Sequence, residues 1–266
     1  MLRCDDRGVA KSTGGFAAAT TADFSDDALS AFDFLLSCDD IAPANIGILG
    51  HSEGGKVAFM AAAKNSRLAF VISLAGMAVR GDALLVRQNQ DILTAGGLPA
   101  DAADAYCNAL QKVFEIIETK SPEQIEQNAD QLLTGVLSGA EAQQIPEQLA
   151  QNLGAILKTP VSPWLKYSLS LDPGPYIRQI GCPVLALNGD KDLQVNAAVN
   201  LAAIEKNLSA GGNERFTVHA YNGLNHLFQH STTGLSTEYG RIEETFAPNV
   251  LADIAEWIRS VTRDSQ

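Results

Sequence analysis

The stretch Asn45-Ile46-Gly47-Ile48-Leu49-Gly50-His51-Ser52-Glu53-Gly54-Gly55-Lys56 runs from apolar residues into a serine set among glycines, and Val57-Ala58-Phe59-Met60-Ala61-Ala62-Ala63-Lys64 follows. The apolar run is short and stops at Gly50, as a buried strand does, and the Ala-rich run after it suits a helix pressed against a sheet. Gly50 to Gly54 fits G-x-S-x-G, a pattern in which the serine occupies a sharp strand-to-helix turn with its hydroxyl projecting. The pattern alone is only moderately specific. Its position between a strand over Asn45–Leu49 and a helix from about Glu53 to Lys64 makes Ser52 the candidate nucleophile. Such a turn calls for small residues two before and two after the serine, so that strand and helix can approach closely. The backbone N–H of Glu53, at the helix start, is the candidate donor to charge developing on a substrate. A phosphate-cradling loop would end in Gly-Lys-Ser/Thr, which this stretch lacks.

On either side, strand and helix patterns alternate. Leu2–Cys4 reads as the end of a short strand, and Asp23–Leu36 as a helix with Phe24, Ala28, Ala31 and Leu35 on one face. Leu68–Leu74 is apolar except for Ser73, which suits a parallel strand covered on both faces. From about Val79 to Tyr167 the pattern turns helical. Tyr106, Leu110, Val113, Phe114 and Ile117 share a face, and Ser121-Pro122-Glu123-Gln124 has the signature of a helix start. Strands resume at Pro183–Leu187, followed by a helix over Asn196–Leu208, a strand over Arg215–Tyr221 and a helix over Glu243–Val261. The expected organisation is an α/β core with a mostly parallel sheet, residues 1–78 and 168–266, interrupted by a helical insertion at 79–167.

A serine on such a turn needs a general base and an acid to orient it, in chain order Ser, acid, His. His226 follows the last strand, in Tyr221-Asn222-Gly223-Leu224-Asn225-His226, and is the candidate base, with His230 as the fallback. His51 adjoins the serine on the wrong side to reach its hydroxyl, and His219 lies within a strand. Asp192 and Asp190 both follow the strand Pro183–Leu187. Asp192 has the better spacing, with Val195 placed to anchor the loop behind it. The acid's task is to hold the imidazole in the right tautomer and to stabilise its protonated form.

Composition narrows the partners. A hydrophobic content of 46% allows a sizeable core, and a net charge of −12 repels phosphate, arguing against nucleic acid and anionic membrane surfaces. No run is long and apolar enough to span a bilayer. Cys4, Cys38, Cys107 and Cys182 are scattered without a C-x-x-C pair, so neither a metal site nor a disulfide framework is expected.

Taken together, Asp5-Asp6-Arg7-Gly8-Val9 with Lys11-Ser12-Thr13-Gly14, Gly50-His51-Ser52-Glu53-Gly54-Gly55, Cys182–Gly189 running into Asp192-Leu193-Gln194-Val195, Leu224–Gln229 and Glu243-Glu244-Thr245-Phe246 resemble bacterial α/β-hydrolase carboxylesterases of the EstD type. The resemblance spans essentially the whole chain; Ser162-Pro163-Trp164 to Asp172-Pro173 resembles that family's return from a helical cap. It implies hydrolysis of small-molecule carboxylic esters with short acyl groups, no cofactor, and a triad of Ser52, Asp192 and His226. Trp164, Tyr167, Phe114 and Tyr106 are candidate lining residues beneath a cap. The family also places a His-Gly type loop after its third strand to supply the second oxyanion donor, and nothing before Asp5 matches it. In that fold the third strand lies between the fourth and the fifth. With Leu2–Cys4 as the fourth and Asn45–Leu49 as the fifth, their shared neighbour is missing. The expectation is therefore that Met1 is internal to a longer protein, that any export signal lies upstream, and that the exposed strand edge can self-associate.

Overall fold

The structure, a computed structural model, describes residues 1–263. In chain order the regular elements begin with α1 (Thr21–Leu36), β1 (Ile48–His51), α2 (Glu53–Lys64) and β2 (Val71–Leu74). A run of helices follows: α3 (Gly81–Ala95), α4 (Ala100–Thr119), α5 (Pro122–Val136), α6 (Glu147–Lys158), α7 (Pro163–Ser170) and α8 (Gly174–Ile177). The chain then alternates through β3 (Val184–Gly189), α9 (Ala197–Ala210), β4 (Phe216–Tyr221) and α10 (Pro248–Arg263). Two units result, Met1–Val79 with Asp172–Gln266, and Arg80–Leu171.

In the first unit, the four strands form one parallel sheet in the order β1-β2-β3-β4. Parallel pairing demands long crossovers, and helices supply them. Alternate side chains enter opposite faces. Val71, Val184 and Ala186 pack with Phe32 of α1, Phe59 of α2, Ile177 of α8 and Ile204 of α9. Ile72, Leu74, Leu185 and Leu187 pack against Val250 and Ile254 of α10. The apolar periodicity of the strands thus places a core on each side of the sheet. β1 and β4 are the two edge strands among the described residues, and Leu49 of β1 is 47% exposed.

Leu2–Cys4 is not a strand: it is irregular and exposed. A strand needs a partner for its backbone groups, and what holds this segment is a side-chain clamp. Arg7 bonds Asp27 through Nε and Nη2 at 2.7 and 2.8 Å and Asp23 through Nη1 at 2.9 Å, tying the loop to α1. The strand expected over Asn45–Leu49 begins later, because Pro43–Asn45 is a short 3-10 turn. The last helix starts at Pro248 instead of Glu243, with proline in the first helical position, where its missing N–H costs least. Glu244 is used in the preceding loop, accepting from the His230 N–H at 2.8 Å.

The second unit is all helical and has its own core, in which Tyr106, Leu110, Val113, Phe114 and Ile117 of α4 meet Ile125 of α5, Leu153 and Leu157 of α6 and Leu169 of α7. Its α5 starts as the sequence indicates: the Ser121 hydroxyl accepts from the Gln124 N–H, and the Gln124 side chain accepts from the Ser121 N–H. Among the described residues no helix is long and apolar enough to cross a membrane.

Candidate active site

The turn between β1 and α2 is strained at Ser52. Its backbone sits at φ 56° and ψ −118°, a left-handed conformation in a residue that carries a Cβ, at a cost of about 1–3 kcal/mol that the surrounding structure must offset. Backbone hydrogen bonds on both sides hold it there. The Ser52 N–H donates to the Leu74 carbonyl at 2.9 Å, continuing the β1–β2 ladder, and the Ser52 carbonyl accepts from the Gly55 N–H at 3.0 Å. Glycine is obligatory at position 50, since a Cβ there would lie 1.9 Å from the Gly54 carbonyl oxygen. The requirement for a small residue two positions after the serine is not met in the same way. A Cβ on Gly54 would touch nothing, and the tight residue is Gly55, whose added Cβ would stand 2.6 Å from the Gly76 Cα. Glu53 opens α2, and its carboxylate accepts from the buried Thr21 hydroxyl of α1 at 2.6 Å.

At the ends of β3 and β4, two loops meet. The Lys191 N–H donates to the Leu224 carbonyl at 2.9 Å, an approach that leaves no room for a side chain on Gly189. Asp192 is 2% exposed and His226 is 4% exposed, and Nδ1 of His226 lies 2.8 Å from Oδ2 of Asp192. The other carboxylate oxygen accepts from the N–H groups of Gln194 and Val195 at 2.8 and 2.9 Å, so both oxygens are engaged and the carboxylate cannot rotate freely. Val195 is buried behind this turn, and Asn188 holds its carbonyl through Nδ2 at 2.8 Å. With Nδ1–H donated to the carboxylate, the neutral ring has Nε2 as its proton acceptor.

The rival residues are used elsewhere. Asp190 accepts from the Gly223 N–H at 2.7 Å and braces the turn after β4. His230 is exposed and pairs through Nδ1 with Glu244 at 2.9 Å. His219 meets Tyr221 edge-on, with ring centroids 4.5 Å apart. Tyr106 and Phe114 are buried in the helical core. Trp164 and Tyr167 stand on α7, with Trp164 37% exposed.

Two residues matter more than sequence reasoning assigned them. His51 is half-buried, and its Nε2 lies 2.8 Å from the His226 carbonyl, with the two rings 4.6 Å apart. Burial is the main cause of its lowered pKa. Through this contact the residue beside Ser52 reaches the residue paired with Asp192. Among the described residues no hydrogen bond joins the Ser52 hydroxyl itself to His226, a bond that in substrate-free sites is often long. The second is Asn225, fully buried, whose Oδ1 accepts from the N–H groups of Leu227 and Gln229 and whose Nδ2 donates to Gln229 Oε1. It ties the base loop into a closed turn that includes Phe228 at φ 58°. Its only sequence signal was its place next to His226.

Residues 29–135 match the family described as BAAT / acyl-CoA thioester hydrolase C terminal, which is less than half of the chain. No curated protein matches the sequence significantly. Similar solved structures include the alpha/beta hydrolase GrgF from Penicillium sp. sh18, at 15% identity and a TM-score of 0.52, with 97% of this chain and 78% of that chain covered. Another is BpoC from Mycobacterium tuberculosis H37Rv, assigned as a non-heme bromoperoxidase, at 15% identity and a TM-score of 0.50, with 97% and 80% covered. Parallel sheet, helical flanks and these likenesses together give the chain the α/β-hydrolase fold.

Proposed function

We propose that the protein is a serine hydrolase that cleaves carboxylic esters with short acyl groups through an acyl-serine intermediate. The observation that carries this reading is the buried 2.8 Å pairing of His226 with Asp192, joined through His51 to the strained turn that presents Ser52. In this mechanism Nε2 of His226 takes the Ser52 hydroxyl proton as Oγ attacks the ester carbonyl. The imidazolium, stabilised by Asp192, then gives that proton to the departing alcohol. Water repeats the sequence on the acyl-serine, and the acid leaves. The Glu53 N–H, at the positive end of α2, is the assigned oxyanion donor.

A thioester substrate is the second reading, favoured by the match of residues 29–135 to an acyl-CoA thioester hydrolase family. Ester and thioester hydrolysis use the same three groups, so rates on matched p-nitrophenyl acetate, acetyl thioester and acetyl anilide substrates separate them. The proposal expects turnover of the ester that is lost in Ser52→Ala. A thioester preference above roughly tenfold in kcat/KM, worth about 1.4 kcal/mol, would move the assignment to the second reading. Turnover that survives Ser52→Ala would reject both.

A further inference from the structure

The geometry points to His51 as a positioning residue that ties the main chain of His226 to the turn bearing Ser52. This inference rests on the proposed role of His226 as general base. The two histidines are 175 positions apart, yet Nε2 of His51 lies 2.8 Å from the His226 carbonyl oxygen. A carbonyl can only accept, so Nε2 carries the hydrogen and His51 donates. That fixes its tautomer: in the neutral ring Nδ1 is bare.

Each side of His226 then has its own restraint. Asp192 holds the ring at Nδ1, Asn225 closes the loop on both flanks, and His51 holds the carbonyl of His226 itself. Only the His51 contact reaches the β1–α2 turn; the Asp192 and Asn225 contacts belong to the loops after β3 and β4. It therefore controls the separation between hydroxyl and imidazole, the distance on which proton transfer depends. The ring of His51 also lies against that of His226, with centroids 4.6 Å apart and planes tilted by 48°. Burial and the neighbouring imidazole both oppose a charge on His51, so the charge that His226 takes up during acyl transfer meets a neutral neighbour.

The test replaces the ring in two ways. His51→Phe keeps a flat ring and removes the donor, and His51→Gln restores an N–H donor on a different frame. In protein carrying 15N-labelled histidine, the His226 Nδ1–H bonded to Asp192 gives a low-field proton line, assigned by its loss in Asp192→Asn. Kinetics on p-nitrophenyl acetate give kcat and KM separately. The inference expects His51→Phe to broaden or lose the line and to lower kcat about 10- to 100-fold, with KM changed less than threefold. His51→Gln should keep the line and at least a third of kcat. An unchanged line and kcat in His51→Phe would overturn the inference, and so would His51→Gln as impaired as His51→Phe. Should the Phe variant fail to fold, the Gln variant decides by the same criteria. If the wild-type protein hydrolyses no ester, the functional reading fails, and the proton line alone still decides whether His51 holds His226.

Discussion

Asn225 and Lys56 are the residues whose chemistry is least expected from their type. Asn225 is a buried amide in a loop, and it spends its side chain on the backbone of the base turn. Asn225→Ala would leave the Leu227 and Gln229 N–H groups without that acceptor. The expected result is a loss of about 1–3 kcal/mol in stability by urea titration, with kcat falling more than KM rises. A variant with wild-type kcat would show that the turn holds without it. Lys56, one helical turn after Ser52, is fully buried, and its ammonium has no hydrogen-bond partner among the described residues. Burial lowers its pKa from the usual 10.5, partly countered by Glu53. A group depressed in the folded state binds its proton more tightly when unfolded. The penalty is therefore full below the folded pKa and disappears as pH rises toward 10.5. Lys56→Met is expected to be neutral or to gain up to about 4 kcal/mol at pH 7, with any gain narrowing toward pH 10. A gain that grows with pH would contradict this account.

At the scale of elements, the β1–α2 turn makes opposite demands on two glycines that the motif treats alike. Gly50→Ala drives a Cβ to within 1.9 Å of backbone, whereas Gly54→Ala meets nothing. The first should destabilise by more than about 2 kcal/mol or abolish folding, and the second should be neutral or stabilise by up to about 1 kcal/mol. Thermal melts of the two variants check this, and equal effects would show that the turn is not as described. This pair also shows what the sequence could reveal. The parallel strands were legible because Leu68–Leu74, broken by Ser73 alone, and Pro183–Leu187 are apolar runs between turn residues, and α2 because alanines and glycines crowd its sheet-facing side. The pairing of Asp192 with His226 was legible because each lies in the loop that follows a strand. Leu2–Cys4 misled because three residues carry no periodicity, and a strand is defined by a partner that local sequence does not name. Gly54 misled because a motif records which residues recur and not which atom each one would strike. His51 was missed because its partner is a backbone carbonyl, and carbonyls leave no mark on residue identity.

At the scale of the whole molecule, the cores fall into two units. Two lie on the opposite faces of the sheet and a third among α4, α5, α6 and α7. The two tryptophans report on different units: Trp257 packs edge-on against Phe70 at 5.8 Å, and Trp164 sits on α7. Independent cores need not melt together. In single-tryptophan variants, Trp164→Phe and Trp257→Phe, urea transitions followed by fluorescence are expected to have different midpoints. Coincident transitions would show that the chain unfolds as one cooperative unit. At one end of the sheet, an elbow, an imidazole and a carboxylate come from three strand ends. The most direct measurement is peptide mass spectrometry after treatment with a fluorophosphonate, which phosphonylates a serine only when that serine is activated. One adduct is expected, on Ser52, formed far more slowly in His226→Ala and Asp192→Asn. An adduct on another residue, or equal labelling of Ser52 in those variants, would contradict that expectation.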